Sequence, residues 1–399
     1  MSFPSDREAK RQALLDAVDS VLEVIVATAD EAEALGDIAP AAVRAMEDAR
    51  LWGLKLPAEL GGAEADPVTQ IDVIERMAYN DSSAGWATMI GATSIGWIGA
   101  FLPDEAVAEI FANGRIPNAA GIGGVSGIAI PVEGGYSLTG TFAFVSGIPH
   151  SEWLVVSARI QREAEPDPDQ PPEQRVFVFR TADVNMHDDW QVAGLKGSGS
   201  NTFSTQDLFV PESYTFDRKA LAEGRAERGG AIFRLGMPGF TANEHAAFVL
   251  GCARRALDLI VDYARTKRRG PTQMAVADRQ VFQRAIGEAD LRLKAARALN
   301  VEIFERAWQC VSSGERPDAT LGTEMRAAAV FATEAGVEIT TMAFRYAGGA
   351  ALHTENLLQR YWRDVNAAAQ HQAASDVSYE AHGQQLLGMG EAPVETGAR

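Results

Sequence analysis

Gly135-Tyr-Ser-Leu-Thr-Gly-Thr-Phe-Ala-Phe-Val-Ser-Gly-Ile-Pro-His-Ser-Glu-Trp153 is the stretch that decides the fold of this 399-residue chain. From Tyr136 to Val145, apolar residues alternate with small or hydroxylated ones in the two-residue period of a half-buried strand. Two further short runs follow, Trp153-Leu-Val-Val-Ser157 and Val176-Phe-Val-Phe179, separated by Gly and Pro punctuation. Residues from about Ile116 to Tyr214 therefore predict a β domain. The Pro- and Asp-rich segment Glu163 to Gln174 predicts a surface loop between two of its strands.

On both sides of this island the period changes to that of a helix. Between Ser5 and Gly114, apolar residues recur at three- and four-residue spacing through Leu14, Val18, Leu22 and Val26, and again through Val43, Met46 and Leu51. After Pro238 the same period holds to about Leu387, in segments near 241–268, 275–313 and 317–347 broken at Gly270-Pro271, Gly314 and Gly348-Gly349. Helices of that length exceed the usual roughly 11 to 12 residues, which predicts a bundle that also packs against other subunits. The fold class is α+β: a helical domain over residues 1–115, a β domain over 116–216 and a helical bundle over 217–399. No internal repeat is visible.

Composition excludes several functions. A formal charge of -18 repels phosphate backbones and anionic lipid, so nucleic acid and membrane surfaces are not expected partners. Cys252 and Cys310 form no CxxC pair and no histidine stands at ligand spacing, so no metal is expected and both read as thiols in a reducing cytoplasm. The N-terminus, with Asp6, Glu8 and Asp16, lacks the basic start and apolar run of a signal peptide. Ser82 to Pro103 is uncharged for long enough to span a bilayer, but four glycines and flanking Asp81 and Asp104 favour a buried core helix.

Three stretches, in this order, resemble the acyl-CoA dehydrogenase superfamily and, within it, the two-component (group D) flavin-dependent monooxygenases that hydroxylate aromatic and heteroaromatic compounds. The first is the opening stretch, similar to the family's strand pair that ends in the loop meeting the flavin ring. The second is Gly194-Leu-Lys-Gly-Ser-Gly-Ser-Asn-Thr202 with Leu208-Phe-Val-Pro211, similar to a loop lying against the cofactor. The third is Tyr346-Ala-Gly-Gly-Ala350, Asn356-Leu-Leu-Gln-Arg-Tyr-Trp-Arg-Asp364 and Gln370-His371. Taken as a plain amphipathic helix, Arg360, Arg363 and Asp364 would instead be solvated pairs at i,i+3 and i,i+4.

The resemblance implies an N-terminal α domain, a middle β-barrel and a C-terminal four-helix bundle assembled as a homotetramer. It places Ser146 beside the flavin N5, with Gly147, Ser198, Ser200 and Thr202 around the cofactor and Gly348 and Gly349 at a site shared between subunits. Arg265, in the basic cluster Arg265 to Arg269 before Gly270-Pro271, is the candidate for the flavin phosphate; a solvated helix end explains the same charges. The cofactor would be reduced FMN or FADH2 delivered by a separate NAD(P)H-dependent flavin reductase, in keeping with the lack of a GxGxxG fingerprint after a strand. Oxygen would add to it as a C4a-hydroperoxide, and the substrate would be a small phenolic or indole-like molecule.

The alternative is a flavin dehydrogenase or oxidase, which needs a carboxylate base. After Arg363-Asp364 the chain offers Asn366, Gln370, His371 and Gln372, and no acid until Asp376. His371 matches the histidine of the aromatic hydroxylases, where an imidazole can accept a proton or hold an oxygen near neutral pH. Related phenol hydroxylases place a histidine shortly after a Gly-Trp pair; here Gly85-Trp86 is followed by Ser94, which argues against a phenol. Trp86, Ile90, Ser94 and His150 are the candidate substrate-pocket residues, with Met89 and Trp97 as further apolar wall. His187, His245, His353 and His382 carry no motif support and read as structural. A third possibility is a scaffold that kept the fold without the flavin.

Overall fold

In a computed structural model, residues 3–162, 171–269 and 274–389 are described; most of the Pro- and Asp-rich segment and the Gly270-Pro271 break lie outside them. Six helices come first: α1 (Arg7–Ala27), α2 (Ala29–Leu35), α3 (Pro40–Asp48), α4 (Pro67–Asn80), α5 (Ser82–Phe101) and α6 (Asp104–Ile110). Seven strands follow: β1 (Ala119–Val132), β2 (Gly135–Phe142), β3 (Trp153–Ile160), β4 (Gln174–Arg180), β5 (Asn185–Met186), β6 (Phe203–Pro211) and β7 (Thr215–Asp217). The rest is α7 (Arg218–Ala222), α8 (Gly236–Gly239), α9 (Ala242–Thr266), the short ribbon β8 (Arg268–Arg269) and β9 (Met274–Ala275), α10 (Gln280–Ser312), α11 (Ala319–Ala347), α12 (Leu357–Ala368) and α13 (Val377–Leu386).

The uncharged run is α5, and all of its residues except Ile90 are buried. Asp81 starts it by accepting a hydrogen bond from Ala84 N at 2.7 Å, satisfying one of the helix's free N–H groups. Around α5, helices from both ends of the chain share one apolar core, running from Leu14 and Val18 through Trp86 and Phe248 to Leu358 and Val365. The first and third segments are therefore packed as one body rather than as separate units. α4 and α9 cross closely at Gly251, where a Cβ would stand 2.3 Å from the Glu75 carbonyl. α11 is long and apolar enough to cross a membrane, yet it packs among α9, α10, α12 and α13.

The strands form one mixed sheet in the order β5-β6-β2-β1-β3-β4-β7. Its second core lies inside the sheet, built from Leu138, Phe142, Leu154, Val156, Phe177, Phe179 and Phe203. β4 and β6 are four strand spacings apart in that order, about 19 Å if flat. Phe179 and Phe203 nevertheless meet with ring centroids 6.0 Å apart, so the sheet rolls around its core as the expected barrel does. Its edge strands β5 and β7 pair only with β6 and β4 respectively.

Candidate active site

The loop after β2 carries Ser146 to the buried face of α5. Gly147 holds a positive φ of 80°, which an L side chain rarely adopts, and its N–H donates to Ser198 O at 2.8 Å. Loop 194–202 is thereby tied to loop 144–151. The Trp86 indole N–H donates to Ser146 Oγ at 2.9 Å, Ser146 and Ser200 hydroxyls lie 2.7 Å apart, and Ser200 and Ser198 hydroxyls lie 2.7 Å apart.

That chain leaves a donor over. Three hydroxyls carry three protons, and their two mutual contacts use two of them. The indole N–H already occupies one Ser146 lone pair. If Ser198 donates to Ser200 and Ser200 to Ser146, the Ser146 proton is free for an acceptor outside the chain, such as a ring nitrogen.

On the other side of Trp86 stand two histidines. The His371 ring meets Trp86 edge-on at 5.7 Å, the His245 ring meets it at 6.0 Å, and the two imidazoles stack at 5.4 Å and 19°. Phe248 closes the same side, 5.1 Å from Trp86. Burial disfavours the charged forms: the His371 pKa is pushed down to about 4 and that of His245, which also feels His371, to about 3. Both are neutral at physiological pH. Ala373 N donates to His371 Nδ1 at 3.2 Å, so Nδ1 holds the lone pair and Nε2 carries the proton. His371 therefore presents a donor rather than a base. His245 is 1 % exposed, and neither of its ring nitrogens has a hydrogen-bond partner among the described residues.

Two carboxylates come near this cluster and both are committed. Glu244, next to His245 on α9, accepts from Lys55 Nζ at 2.5 Å and from Thr93 Oγ1 at 2.8 and 3.0 Å. Lys55 also donates to Phe240 O at 2.5 Å and to Thr93 Oγ1 at 2.8 Å. Burial pushes Glu244 up and Lys55 down, and their mutual attraction pulls both back. Asp364 accepts from Ser82 Oγ at 2.5 Å and Leu195 N at 2.6 Å, and burial pushes its pKa up to about 6. It fastens loop 194–202 to α5 and α12. Arg360 and Arg363, far from being i,i+3 partners of their own helix, reach Asp30 and Glu33 of α2, Arg363 at 2.7 Å, and Arg363 also holds Ala193 O at 2.6 Å.

Of the residues expected from sequence, Trp86, Ser146, Gly147, Ser198, Ser200 and His371 converge. Ser94 faces β1, its hydroxyl 3.0 Å from where a Cβ on Gly121 would lie, and Ile90 packs half-buried against the core. His150 turns to Asp37, with Nδ1 2.7 Å from Oδ1, and stacks on Trp52 at 6.0 Å. Thr202 bonds to Asp189 through its N–H at 2.9 Å. Arg265 is exposed and paired with Asp262 at 3.0 Å. Gly348 has a φ of 63°, and a Cβ on Gly349 would meet nothing within 4 Å, which leaves this turn open at the surface. His245, read from sequence as structural, stands instead in the cluster. No local signal marked it: with Asn243 and Glu244 it forms a polar run at the start of α9, three residues before Phe248 on the same face.

A flavin fits this arrangement: the hydroxyl chain leaves a proton for a ring nitrogen, and the His245 nitrogens have no partner among the described residues. Residues 7–111 match the model of the acyl-CoA dehydrogenase N-terminal domain and residues 244–376 that of the C-terminal domain. The chain is 28 % identical over 335 residues to an indole-3-acetate monooxygenase of Pseudomonas putida, covering 84 % of this chain and 83 % of that one. It is 26 % identical over 366 residues to the flavin-dependent monooxygenase, oxygenase subunit HsaA, of Rhodococcus jostii, covering 90 % and 94 %. A crystal structure of 3-HSA hydroxylase from Rhodococcus sp. RHA1 superposes with a TM-score of 0.87 at 25 % identity, over 95 % of this chain and 97 % of that one.

Proposed function

The chain belongs to the acyl-CoA dehydrogenase superfamily and is a flavin-dependent monooxygenase, and we propose that it is the oxygenase component of a two-component system that hydroxylates a small aromatic or N-heteroaromatic, indole-like molecule. The observation that carries this reading is the Trp86-Ser146-Ser200-Ser198 chain set against two neutral, stacked histidines, with both neighbouring carboxylates already bonded. A dehydrogenase needs a carboxylate at the reacting carbon, whereas Glu244 is held by Lys55 and Thr93 and Asp364 by Ser82 and the Leu195 amide.

Reduced FMN or FADH2, when bound, supplies the electrons that activate O2 for transfer of one oxygen atom. Ser146 would donate to the ring edge and be held in place by Trp86. His371, protonated at Nε2, would hold an oxygen of the substrate or co-substrate, with His245 stacked behind it. The aromatic contact of Trp86 with Phe248 would help exclude water, which limits wasteful release of peroxide.

The reductant would come from an NAD(P)H-dependent flavin reductase on another protein, and the two free thiols are in keeping with a cytoplasmic setting. Exposed Leu291, Leu299 and Phe331 on α10 and α11 support assembly into a homotetramer. The test is a reconstituted assay with an independent flavin reductase, NADH and a panel of indoles and phenols, counting hydroxylated product and peroxide per NADH. Product with peroxide as the minor outcome supports the proposal. Anaerobic reduction of bound flavin by a thioester, without reductase, would sink it.

A further inference from the structure

Arg218 opens α7 directly after β7, and its side chain turns inward to β1. Nη2 donates to Gly123 O at 3.0 Å. That carbonyl is available because residues 122–124 fall within a register shift between β1 and β3, where the ladder passes from Gly121↔Val155 to Val125↔Ser157. A Cβ on Gly123 would lie 3.6 Å from Gln372 Nε2, 3.7 Å from Met237 Cε and 3.9 Å from Trp97 Cη2. Gly123 thus stands between Arg218 and Gln372, the residue after His371. Ser94 approaches Gly121 two residues earlier on the same strand.

Arg218 makes no ion pair with any described residue, and its Nε is buried without a hydrogen-bond partner. The adjoining Asp217 spends its carboxylate on Lys219 N at 2.8 Å. Burial, with no anion to offset it, pulls the guanidinium below its ordinary range. Trp97 Nε1, on the same side of the site, is likewise buried without an acceptor. Arg218 is half-buried, so part of its guanidinium stays solvated, but its buried Nε lacks the acceptor that most buried polar atoms find, which favours a ligand that supplies one. The guanidinium fork matches a carboxylate bidentately, which an amide or a hydroxyl does not reproduce.

We propose that Arg218 anchors a carboxylate borne on the aromatic substrate, so that the substrate is an aromatic acid held with its ring beside Trp97 and its acid arm toward β1. This rests on the monooxygenase reading and narrows its substrate class. The flavin phosphate offers a rival anion, but Trp86, which bonds Ser146, is separated from Trp97 by eleven residues of helix, about 16 Å.

The experiment measures equilibrium binding to the full chain under anaerobic conditions with reduced FMN present. Indole-3-acetate is paired with indole-3-acetamide, and 4-hydroxyphenylacetate with its amide. Wild type should bind at least one acid tenfold or more tightly than its amide. Arg218→Met should erase that preference while leaving amide and FMN affinity unchanged, and Arg218→Lys should keep part of it. Equal affinity for acid and amide in both pairs would overturn the proposal, as would Arg218→Met weakening acid and amide alike, or weakening FMN itself. The wild-type comparison stands even if the methionine variant fails to fold. An Arg218-dependent acid preference without any hydroxylated product would reject the monooxygenase reading alone; efficient hydroxylation of neutral aromatics with no acid preference would reject this inference alone.

Discussion

The stacked imidazoles make folding stability sensitive to acid, and the size of the effect follows from their positions. An unfolded histidine binds a proton near pH 6.5, whereas burial holds His371 at about 4 and His245 at about 3. Because the folded pKa values are depressed, the unfolded chain takes up protons first as pH falls, so stability is full above 6.5 and is lost toward 4 and 3. At pH 5 the linkage comes to about 2 kcal/mol for each ring, or about 4 kcal/mol for the pair. Asp364 acts in the opposite sense: burial raises its pKa to about 6, so protonation below that value returns about 1.4 kcal/mol by pH 5. The net loss from these three groups between pH 8 and pH 5 is about 2.6 kcal/mol, a sizeable part of the roughly 5 to 15 kcal/mol that holds a typical protein folded. Replacing His245 by Phe should remove one ring's share, about 2 kcal/mol, and leave the variant less acid-sensitive than wild type. Urea unfolding of both proteins at half-unit steps from pH 8 to 5 measures the difference directly. Parallel pH profiles for wild type and His245→Phe would refute the claim that this imidazole is buried and neutral.

Other predictions concern the chemistry. His371→Gln should bind flavin normally but shift the ratio of product to peroxide at least tenfold toward peroxide; unchanged coupling would remove His371 from the site. Since the Nε2–H is the working group and its ring stays neutral to about pH 4, coupling should be flat from pH 5.5 to 8, and a break near 6.5 assigned to His371 by its loss in the Gln variant would contradict the tautomer. Ser200→Ala removes the hydroxyl that links Ser146 to Ser198, so the flavin absorption spectrum on binding should change as it does for Ser146→Ala; a spectrum like wild type would break the proton accounting. Lys55→Met leaves Glu244 buried without its cation and should cost about 3 to 5 kcal/mol, whereas Lys55→Met with Glu244→Leu should recover most of it. Failure of the second change to restore thermal stability would mean that the pair does more than neutralise itself.

Much of the fold was legible because it rests on period. The switch from alternation at Tyr136 to three- and four-residue spacing after Pro238 marks β2 and α9 to α11 within a few residues. That Ser146, His371 and Trp86 come together was legible because each lies in a stretch that resembles a family pattern, and that pattern encodes which loops meet. His245 and Arg218 carry no such local mark. A histidine inside a helix and an arginine after a short strand look the same whether solvated or buried, and only the packing of α9 on α5, or the hydrogen bond of Arg218 to Gly123 O on β1, tells them apart. His150 erred the other way. It sits in the right loop, but the turn that delivers Ser146 sends the next histidine back toward Asp37 and Trp52.

The distribution of charge around the proposed site leaves the groups between its loops and helices largely neutral. Lys55 and Glu244 cancel under α5, Asp364 is shared between Ser82 and the Leu195 amide, and Arg360 and Arg363 are drawn off to Asp30 and Glu33. Each arrangement fixes a wall of the site while adding no free charge to its interior. On the proposed reading, the groups left facing it are the Ser146 hydroxyl and the neutral His371 Nε2–H, which would hold a developing negative charge on oxygen without having to lose a proton first. Arg218 is the exception, at the start of α7 with its side chain reaching β1. A cation there, distant from Ser146, can orient an acidic arm without competing with the hydroxyl donors for the reacting oxygen. That separation of anchoring from chemistry requires that an Arg218 substitution change affinity for the acid far more than coupling of whatever substrate does bind.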